Sequence, residues 1–378
     1  MNKKKFDIAI IGGGPADSSA AMLLSKKGYS VALIEKKQYP REVLCGEFIS
    51  KEIVEFFKEN LLYEEFIKLN PNPITSFRFS SDRGTEFFSS FNFQAYGIKR
   101  SKLDSFLLSK ALENGTEIYQ PAEVKGIIKL NNSYLLNFSR SNENIAIESK
   151  IIIAAYGKQS ILDKNSDRGF YGKKSNLNGV KFHIDKNHFN SFNKEEIQIY
   201  TSSNIYCGLN AVDDKTITLC FLEKRNNFHY SSKDILMQLS RQNKKFNALL
   251  NRDFFDCIDN APIYGTGNIY FGKRDIVNEG IFYIGDAAAV IAPLVGDGIG
   301  MAVQSSRLIS DILHRNNLNK EKAGTEYKKE WRKLFLRRIL IAGFIQKSIL
   351  NNSIRNPGVK MVSLLPGTLS AIIKYTRG

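Results

Sequence analysis

The stretch Ile11-Gly12-Gly13-Gly14-Pro15-Ala16 decides the fold that this sequence predicts. Residues 6–11 are apolar at nearly every position, which is typical of a short buried strand. Residues 16–27 have the apolar spacing of a helix, and Gly28 is placed to end it. Residues 29–34 predict a second strand, which leads into the acidic Glu35. This order of strand, glycine turn, helix, strand and acid is the fingerprint of a dinucleotide-binding unit.

The residues of this turn suit a pyrophosphate for physical reasons. Gly12 and Gly14 let the backbone come close to the phosphates, and Pro15 and Ala16 begin a helix whose free amides and dipole face the anion. Glu35 can accept hydrogen bonds from both hydroxyls of an adenosine ribose. These residues are therefore predicted to bind the adenosine diphosphate part of a dinucleotide.

Asp17 departs from the fingerprint, which asks for glycine or alanine three residues after Gly14. That small residue lets the helix pack against the strand, whereas an aspartate adds bulk and a negative charge near two phosphates. Two interpretations stay open. The carboxylate either suits the first turn of a helix and does nothing more, or it lowers the affinity for the cofactor.

The loop after the second strand carries further candidates. Lys36 and Arg41 follow Glu35 closely, and Pro40 marks the loop. Arg41 can fold back over the nucleotide and neutralise phosphate with its bidentate guanidinium; the alternative is a surface salt bridge. Cys45 stands where the loop meets a helix. Its thiol is either a chemical group near a ring system or a small buried apolar side chain.

A second glycine-rich stretch lies late in the chain. Residues 281–284 predict a strand that delivers Gly285-Asp286, and an aspartate in this place can hold polyol hydroxyls. The loop Pro293-Leu294-Val295-Gly296-Asp297-Gly298 then opens a helix, predicted from Ile299 to about residue 313. The N-terminus of that helix can stabilise negative charge on a bound ring, by the dipole argument used for phosphate.

The remaining segments predict a second, β-rich region. Residues 74–98 alternate phenylalanines with polar residues, as antiparallel strands do, and residues 176–270 alternate in the same way. Single helices are predicted over residues 51–68 and 232–250. The chain is therefore predicted to be an α/β protein, with a Rossmann-like domain of residues 1–73, 99–175 and 271–315 interleaved with an antiparallel β-sheet substrate domain of residues 74–98 and 176–270.

The charge of the chain is uneven. The formal net charge is +16, and no acidic residue follows Glu330. Residues 316–378 are predicted as a basic helical C-terminal region, because residues 334–350 alternate basic side chains with a helical apolar pattern. Such a helix favours an anionic membrane surface; the alternative is a core-packed helix with a solvated basic face. Nucleic acid is not favoured, since basic and aromatic residues are not interleaved.

Cysteines and histidines indicate neither a disulfide framework nor a metal site. Cys45, Cys207, Cys220 and Cys257 lack paired spacing, and the four histidines share no ligand spacing. No apolar run is long enough for a signal peptide or a membrane span. We expect a cytoplasmic protein, peripheral to the inner face of the membrane if the basic C-terminus binds lipid.

Taken together, these motifs resemble the flavoproteins of the p-hydroxybenzoate hydroxylase fold. The resemblance rests on residues 12–16 with Glu35, on Arg100, and on the two late motifs at residues 285–286 and 293–298. Within that superfamily, Cys45-Gly46-Glu47 and the basic C-terminus look most like the geranylgeranyl reductase-related branch.

The resemblance implies an FAD site spread over both glycine-rich stretches. Adenosine would bind Glu35, and diphosphate would bind the first glycine turn together with Arg41 or Arg100. The ribityl chain would bind Asp286, and the isoalloxazine would lie near residues 296–298, beneath the antiparallel sheet.

The chain departs from the family at one further place. The Asp-Gly pair that serves both FAD and the pyridine nucleotide is Tyr156-Gly157 here. Recognition of NADPH or NADH as electron donor is therefore left open. Flavin-dependent halogenases share the fold, but their Trp-x-Trp-x-Ile-Pro signature is absent, because Trp331 is the only tryptophan.

The resemblance implies an FAD-dependent oxidoreductase that acts on an apolar, isoprenoid- or polyketide-like substrate. Two reactions fit: reduction of a carbon–carbon double bond, with Cys45 as a candidate proton donor, and hydroxylation by a monooxygenase. The alternative from another class is a non-catalytic binding module, which keeps the fold after Asp17 has impaired the cofactor site.

Overall fold

The computed structural model describes residues 3–351 and 355, except residues 142, 166, 167, 169, 171, 172, 174, 226–229, 268 and 269. Its strands are β1 (Lys4–Ile11), β2 (Val31–Ile34), β3 (Phe48–Ile49), β4 (Asn72–Ser80), β5 (Glu86–Gly97), β6 (Glu117–Tyr119), β7 (Glu123–Lys129), β8 (Tyr134–Arg140), β9 (Glu143–Ala154), β10 (Leu177–Asp185), β11 (Glu196–Ser202), β12 (Ile205–Ala211), β13 (Thr216–Lys224), β14 (Tyr264–Thr266), β15 (Gly272–Lys273), β16 (Val277–Asn278), β17 (Ile281–Tyr283) and β18 (Ala289–Val290).

The helices surround these strands and connect them. They are α1 (Pro15–Lys26), α2 (Lys51–Glu59), α3 (Tyr63–Ile67), α4 (Arg100–Glu113), α5 (Ile161–Asn165), α6 (Ser232–Gln242), α7 (Lys244–Leu249), α8 (Phe254–Asn260), α9 (Gly298–Arg315) and α10 (Lys320–Leu350). Short 3₁₀ turns cover Lys186–His188, Gly285–Ala287 and Pro293–Val295.

The first sheet forms around β1, as the opening motif predicts. Its strand order is β16-β17-β9-β1-β2-β6, and β7 and β8 are attached beside β9. β1 runs parallel to both β2 and β9, and β9 runs parallel to β17. Ile8, Ala9 and Ile10 are fully buried, which is why this strand is apolar at successive positions rather than at alternate ones. The strand–turn–helix–strand prediction is confirmed.

Helix α1 packs against both α4 and α9. Ala20 and Ala21 are fully buried on α1, and such small side chains let neighbouring helices approach closely. The helix ends with Gly28 at φ +85°, a conformation that glycine adopts at little cost. The first glycine turn and the helix that follows the second one, α9, are thus held in contact by α1.

The second sheet is the predicted β-rich region. Its strand order is β14-β10-β13-β12-β11-β4-β5-β3. β4 and β5 form the predicted hairpin, with their turn at residues 81–85. β3 pairs with β5, so Phe48 and Ile49 belong to this sheet. The segment just after Cys45 therefore carries the chain from the first sheet into the second.

Two helix predictions are wrong in their extent. Residues 51–68 form α2 and α3 rather than one helix, because Leu61 adopts φ +60° between them. Residues 232–250 form α6 and α7, which meet at Asn243. The Asn243 side chain accepts hydrogen bonds from the first amides of α7 and donates to the carbonyls of Ser80 and Thr201. A buried amide with these tertiary partners breaks the helix. α8 was not predicted.

Helix α10 contains the predicted basic segment within a much longer helix. It contacts α9, β12, β15 and the 3₁₀ turn Pro293–Val295, and Trp331, Phe335 and Ala342 are buried on its inner face. Residues beyond 351, other than 355, lie outside the described part of the chain. Within the described part, none of the helices combines the length and apolarity that crossing a membrane requires.

Candidate cofactor site

The two glycine-rich stretches meet in the structure. Gly285 has φ +57°, and a Cβ added there would lie 2.9 Å from the Cβ of Ala16. Two serines of α9 complete the junction: Ser306 Oγ donates to the carbonyl of Ala16 at 2.6 Å, and Ser305 Oγ accepts from the amide of Gly285 at 3.1 Å. Two motifs separated by most of the chain therefore belong to one site.

The first turn has the shape of a backbone cradle. Gly12 has φ +124°, and a Cβ there would lie 2.9 Å from the carbonyl oxygen of Ala155. A Cβ on Gly13 would lie 2.9 Å from the Cβ of Glu35. Only glycine fits at these two positions, and the Glu35 carboxylate is held directly beside the turn, as predicted for a ribose ligand.

The side chain of Asp17 fills part of this cradle. Its Oδ2 accepts a hydrogen bond from the amide of Gly14, and its Oδ1 would lie 2.6 Å from a Cβ on Gly12. The carboxylate is buried, and Oδ1 has no hydrogen-bond partner. Burial, with the nearby charge of Glu35, holds the pKa of Asp17 well above its usual range. The hydrogen bond from Gly14 belongs to a capping box at the start of α1, and it occupies a backbone donor that an anion could use. Both interpretations of Asp17 therefore stay open.

The loop after β2 folds back over the turn, as predicted for Arg41. Tyr39 donates a hydrogen bond from its hydroxyl to the carbonyl of Gly13. Arg41 donates to the Tyr39 hydroxyl at 3.0 Å, and its Nε lies 3.8 Å from Glu35 Oε1. Lys36, in contrast, is exposed. Of the two predicted cations on this loop, Arg41 lies beside the turn.

Arg100 approaches the turn from α4. Its guanidinium makes a two-pronged ion pair with Asp104, at 2.8 and 2.9 Å, and its Nη2 would lie 3.9 Å from a Cβ on Gly14. Three carboxyl groups, those of Asp17, Glu35 and Asp104, thus surround the turn beside two guanidinium groups. A bound diphosphate would add negative charge to a site in which the carboxyl groups already outnumber the guanidinium groups.

The second glycine loop presents an open backbone edge. Gly296 adopts φ +62°, and Pro293 and Gly298 are exposed, whereas Ile299 is buried. Asp286 lies in the 3₁₀ turn after β17, where its carbonyl accepts a hydrogen bond from Arg274 at 3.0 Å. This loop is the start of the eighteen-residue helix α9, so its amides retain the favourable helix dipole.

The glycine cradle, the acid beside it and the open helix start fit FAD. Residues 12–16 with Glu35, Arg41 and Arg100 would hold the adenosine diphosphate, and Asp286 with residues 293–299 would hold the ribityl chain and ring. Asp17 is the one side chain of the cradle that works against this fit. The individual contacts to FAD remain predictions.

Cys45 lies where the two halves of the molecule meet. Its Sγ accepts a hydrogen bond from the amide of Glu47 at 3.3 Å. The thiol also interacts with the side chain of Arg100. Burial, together with the neighbouring Cys45 thiol, raises the pKa of Cys220 on β13 to about 12. Cys45 therefore lies on the loop that joins the nucleotide turn to the second sheet. Its role beside a flavin ring stays a prediction.

Sequence reasoning missed a buried ionic cluster next to Cys45. Glu47 Oε1 accepts from Lys181 Nζ at 2.9 Å and from the amide of Arg100 at 2.8 Å. Glu47 Oε2 is 2.7 Å from His183 Nε2 and accepts from Thr218 Oγ1 at 2.5 Å. Lys181, His183 and Thr218 stand on β10 and β13, so one carboxylate joins the cofactor loop to the substrate sheet.

The cluster is held by charge balance. Burial alone raises the pKa of Glu47, but the hydrogen bond from His183 and the charges of Lys181 and His183 outweigh it and lower the pKa to about 2. Glu42 accepts a second bond from Lys181 at 2.7 Å. Glu42, Glu47 and His183 are close enough together to bind a metal ion, but the Lys181 ammonium already pairs with both carboxylates. Along β10, Lys181 and His183 alternate with the apolar residues 180, 182 and 184. This pattern predicts a solvated polar face, so the sequence offered no signal for the buried cluster.

The Tyr156-Gly157 departure has a structural partner. The Tyr156 hydroxyl donates to Asp163 Oδ1 at 2.5 Å, and Arg168 donates to Asp163 at 2.9 Å. Burial, followed by the charge of Asp163, raises the pKa of Tyr156. The tyrosine at the motif position is thus bonded to the buried carboxylate of Asp163, seven residues later in the chain. His229, in the histidine set considered above, lies outside the described residues.

The fold and this site define a flavin-binding class of protein. A family model described as "FAD binding domain" matches residues 5–319, and the chain belongs to that family. The predictions of the fold, of FAD and of an FAD-dependent oxidoreductase are thereby confirmed.

The relatives include enzymes of more than one reaction class. Digeranylgeranylglycerophospholipid reductase 1 of Methanococcoides burtonii is 25% identical over 356 residues, covering 88% of this chain and 81% of that protein. The 1H-pyrrole-2-carbonyl-[peptidyl-carrier protein] chlorinase of Pseudomonas fluorescens is 22% identical over 374 residues, covering 86% and 80%.

Solved structures show the same fold. A flavin-dependent brominase superimposes with a TM-score of 0.79 at 17% identity, covering 99% of this chain and 94% of that chain. A geranylgeranyl bacteriochlorophyll reductase-like protein from Thermoplasma acidophilum gives 0.74 at 19% identity, covering 99% and 97%.

Proposed function

We propose that this FAD-dependent enzyme reduces a carbon–carbon double bond of an apolar, isoprenoid-like substrate. The observation that carries the proposal is the position of Cys45 on the loop that leads from the nucleotide turn to β3 of the second sheet, where its Sγ accepts a hydrogen bond from the Glu47 amide at 3.3 Å. Reduction of a double bond adds a hydride to one carbon and a proton to its neighbour. FAD supplies the hydride chemistry when it is bound, and we assign the proton to the Cys45 thiol.

The substrate sheet supports an apolar substrate. Phe79 and Ile199 form a buried cluster with partly buried neighbours from the second glycine loop and the end of α10, Leu294 and Ile349. An apolar surface next to the second glycine loop would exclude water and favour a hydrocarbon chain through burial of its surface. The reductase relatives, which match over most of their length, support the same reaction class.

Two other reactions compete with this proposal. Hydroxylation fits the fold equally well, and halogenation is suggested by the chlorinase relative and by the brominase that shares the fold. Hydroxylation adds an oxygen atom to a carbon of the substrate, and halogenation adds a halogen atom. Neither reaction requires a thiol that donates a proton to carbon. The position of Cys45 therefore favours reduction.

The experiment supplies the FAD-loaded chain with NADPH or NADH and a polyunsaturated isoprenoid alcohol, in parallel assays with and without air. The expected product has gained two hydrogens per reduced bond, and Cys45→Ser lowers the turnover at least tenfold while Cys257→Ser, on α8, leaves it unchanged. Dithionite in place of the pyridine nucleotide tests the electron donor separately. A product that gains oxygen or halogen, and forms only in air, contradicts the proposal.

The non-catalytic alternative rests on Asp17 alone. A buried carboxylate in the phosphate cradle opposes a cofactor that carries two phosphates. Family membership and the relatives favour an enzyme, so we expect the chain to bind FAD despite this residue. The alternative predicts a protein that cannot be loaded with FAD under any condition.

A further inference from the structure

We propose that the outward face of α10 docks on an anionic lipid bilayer. The surface consists of Lys333, Arg337, Leu340, Phe344 and Lys347, which we call the α10 stripe. This proposal concerns how the protein is placed in the cell, and it holds whichever reaction the FAD site catalyses.

The stripe follows from helical geometry. At 3.6 residues per turn, positions 333, 337, 340, 344 and 347 lie along one side of a helix. All five side chains are exposed, and the two apolar ones are strongly so, at 64% for Leu340 and 72% for Phe344. The opposite side of α10 contacts α9 and β12, so the stripe faces away from the part of the chain that the structure describes.

The charges of the α10 stripe indicate what binds to it. Three cations flank the two apolar side chains, and the sequence holds no acidic residue after Glu330. Basic residues around protruding apolar ones match an anionic lipid surface, where the cations meet the headgroups and the apolar side chains enter the boundary with the acyl chains. A protein partner would need acidic groups around an apolar socket, which is a narrower requirement.

The other side of α10 links the stripe to the cofactor site. Arg338 donates to Gln304 of α9 at 2.7 Å and lies 3.5 Å from Asp297 in the second glycine loop. Ile349, near the end of the same helix, packs in the apolar cluster with Leu294 and Phe79. The helix that carries the stripe therefore also packs against the second glycine loop and its apolar cluster.

The test is co-sedimentation of the full chain with vesicles. We expect binding to vesicles of phosphatidylglycerol in phosphatidylcholine, at least tenfold weaker binding to phosphatidylcholine alone, and weakening by high salt. The double variant Leu340→Ser/Phe344→Ser should lose at least tenfold in affinity, and so should Lys333→Gln/Lys347→Gln. A matched control, Leu112→Ser/Ile128→Ser, removes apolar side chains that are 59% and 51% exposed elsewhere, and it should bind like the parent.

Circular dichroism and thermal unfolding establish that each variant is folded. The proposal is overturned if anionic vesicles do not bind, or if the stripe and control variants bind alike. It is also overturned if the stripe variants abolish binding to DNA while vesicles stay unbound. Sedimentation equilibrium without lipid tests whether the chain forms a dimer. A dimer that the stripe variants dissociate would also overturn the proposal, because the stripe would then be a protein interface.

Discussion

Lys181 donates a hydrogen bond to Glu47 at 2.9 Å, and both side chains are buried. Glu47 belongs to the loop that carries Cys45, whereas Lys181 stands on β10 of the substrate sheet. The pair thus fixes the distance between the nucleotide turn and the sheet that faces it. A shift of this contact would move the candidate proton donor relative to the ring.

Glu47→Gln is expected to destabilise the fold by about 3 kcal/mol, because it leaves the buried Lys181 ammonium with less compensating charge. Urea unfolding measures this loss. Glu59→Gln is the matched control, since Glu59 pairs with Arg307 at 2.7 Å where the two side chains are 47% and 57% exposed. We expect a loss of about 1 kcal/mol there. Equal losses in the two variants would show that Glu47 is an ordinary ion-pair partner.

The same carboxylate predicts how stability depends on pH. The pKa of Glu47 in the folded chain is about 2, below its ordinary 4.5, so its contribution is fully present above pH 4.5 and is lost as the pH falls toward 2. The stability difference between the parent and Glu47→Gln should therefore shrink in this window. A difference that stays constant from pH 5 to the acid limit of folding would refute the assignment.

Asp17→Gly is expected to bind FAD at least tenfold more tightly than the parent. The change frees the Gly14 amide and removes a carboxylate from a site that must accept two phosphates. Asp17→Asn keeps the size and removes the charge, so it separates the two effects. A fluorescence titration of FAD gives the three affinities, and equal values would show that Asp17 is neutral to binding.

Asp17 also predicts a pH dependence of FAD binding in the parent. Its pKa is held well above the usual range by burial and by Glu35. The carboxyl group gains its charge as the pH rises through that raised value, so FAD affinity should fall with rising pH. In Asp17→Asn this decline should disappear; its persistence would place the titrating group elsewhere.

Gly285→Ala should weaken FAD binding at least tenfold and cost about 2 kcal/mol of stability, because the new Cβ meets Ala16 at 2.9 Å in a backbone conformation of φ +57°. Gly126→Ala is the control, since a Cβ on that glycine of β7 meets no atom within 4 Å. Isothermal titration and thermal unfolding test both variants. Identical behaviour would mean that the two motifs do not depend on their contact.

The dinucleotide unit could be predicted because its signals are local. The backbone of this turn requires glycines at residues 12–14, and the site requires an acid directly after the second strand. Both requirements concern residues that are close in the chain, so they can be recognised in the sequence. Asp17 was recognised as a departure, but its burial and its occupied amide depend on how the side chain turns back into the cradle. That orientation is a property of the packed structure.

The Glu47 cluster could not be predicted for a different reason. Its partners, Lys181, His183 and Thr218, come from strands more than 130 residues away in the chain. Charged residues are usually exposed, so each one alone reads as a surface group. The break at Asn243 was missed likewise, because its amide is satisfied by the carbonyls of Ser80 and Thr201 on other strands.

The most direct test of the account is the flavin content of the purified chain. The protein is incubated with excess FAD, separated from free cofactor, and its visible flavin absorbance is compared with its concentration, in the parent and in Asp17→Gly. The account predicts close to one FAD per chain, with tighter retention in Asp17→Gly. Absence of bound FAD from both proteins, at neutral and at lower pH, would contradict it.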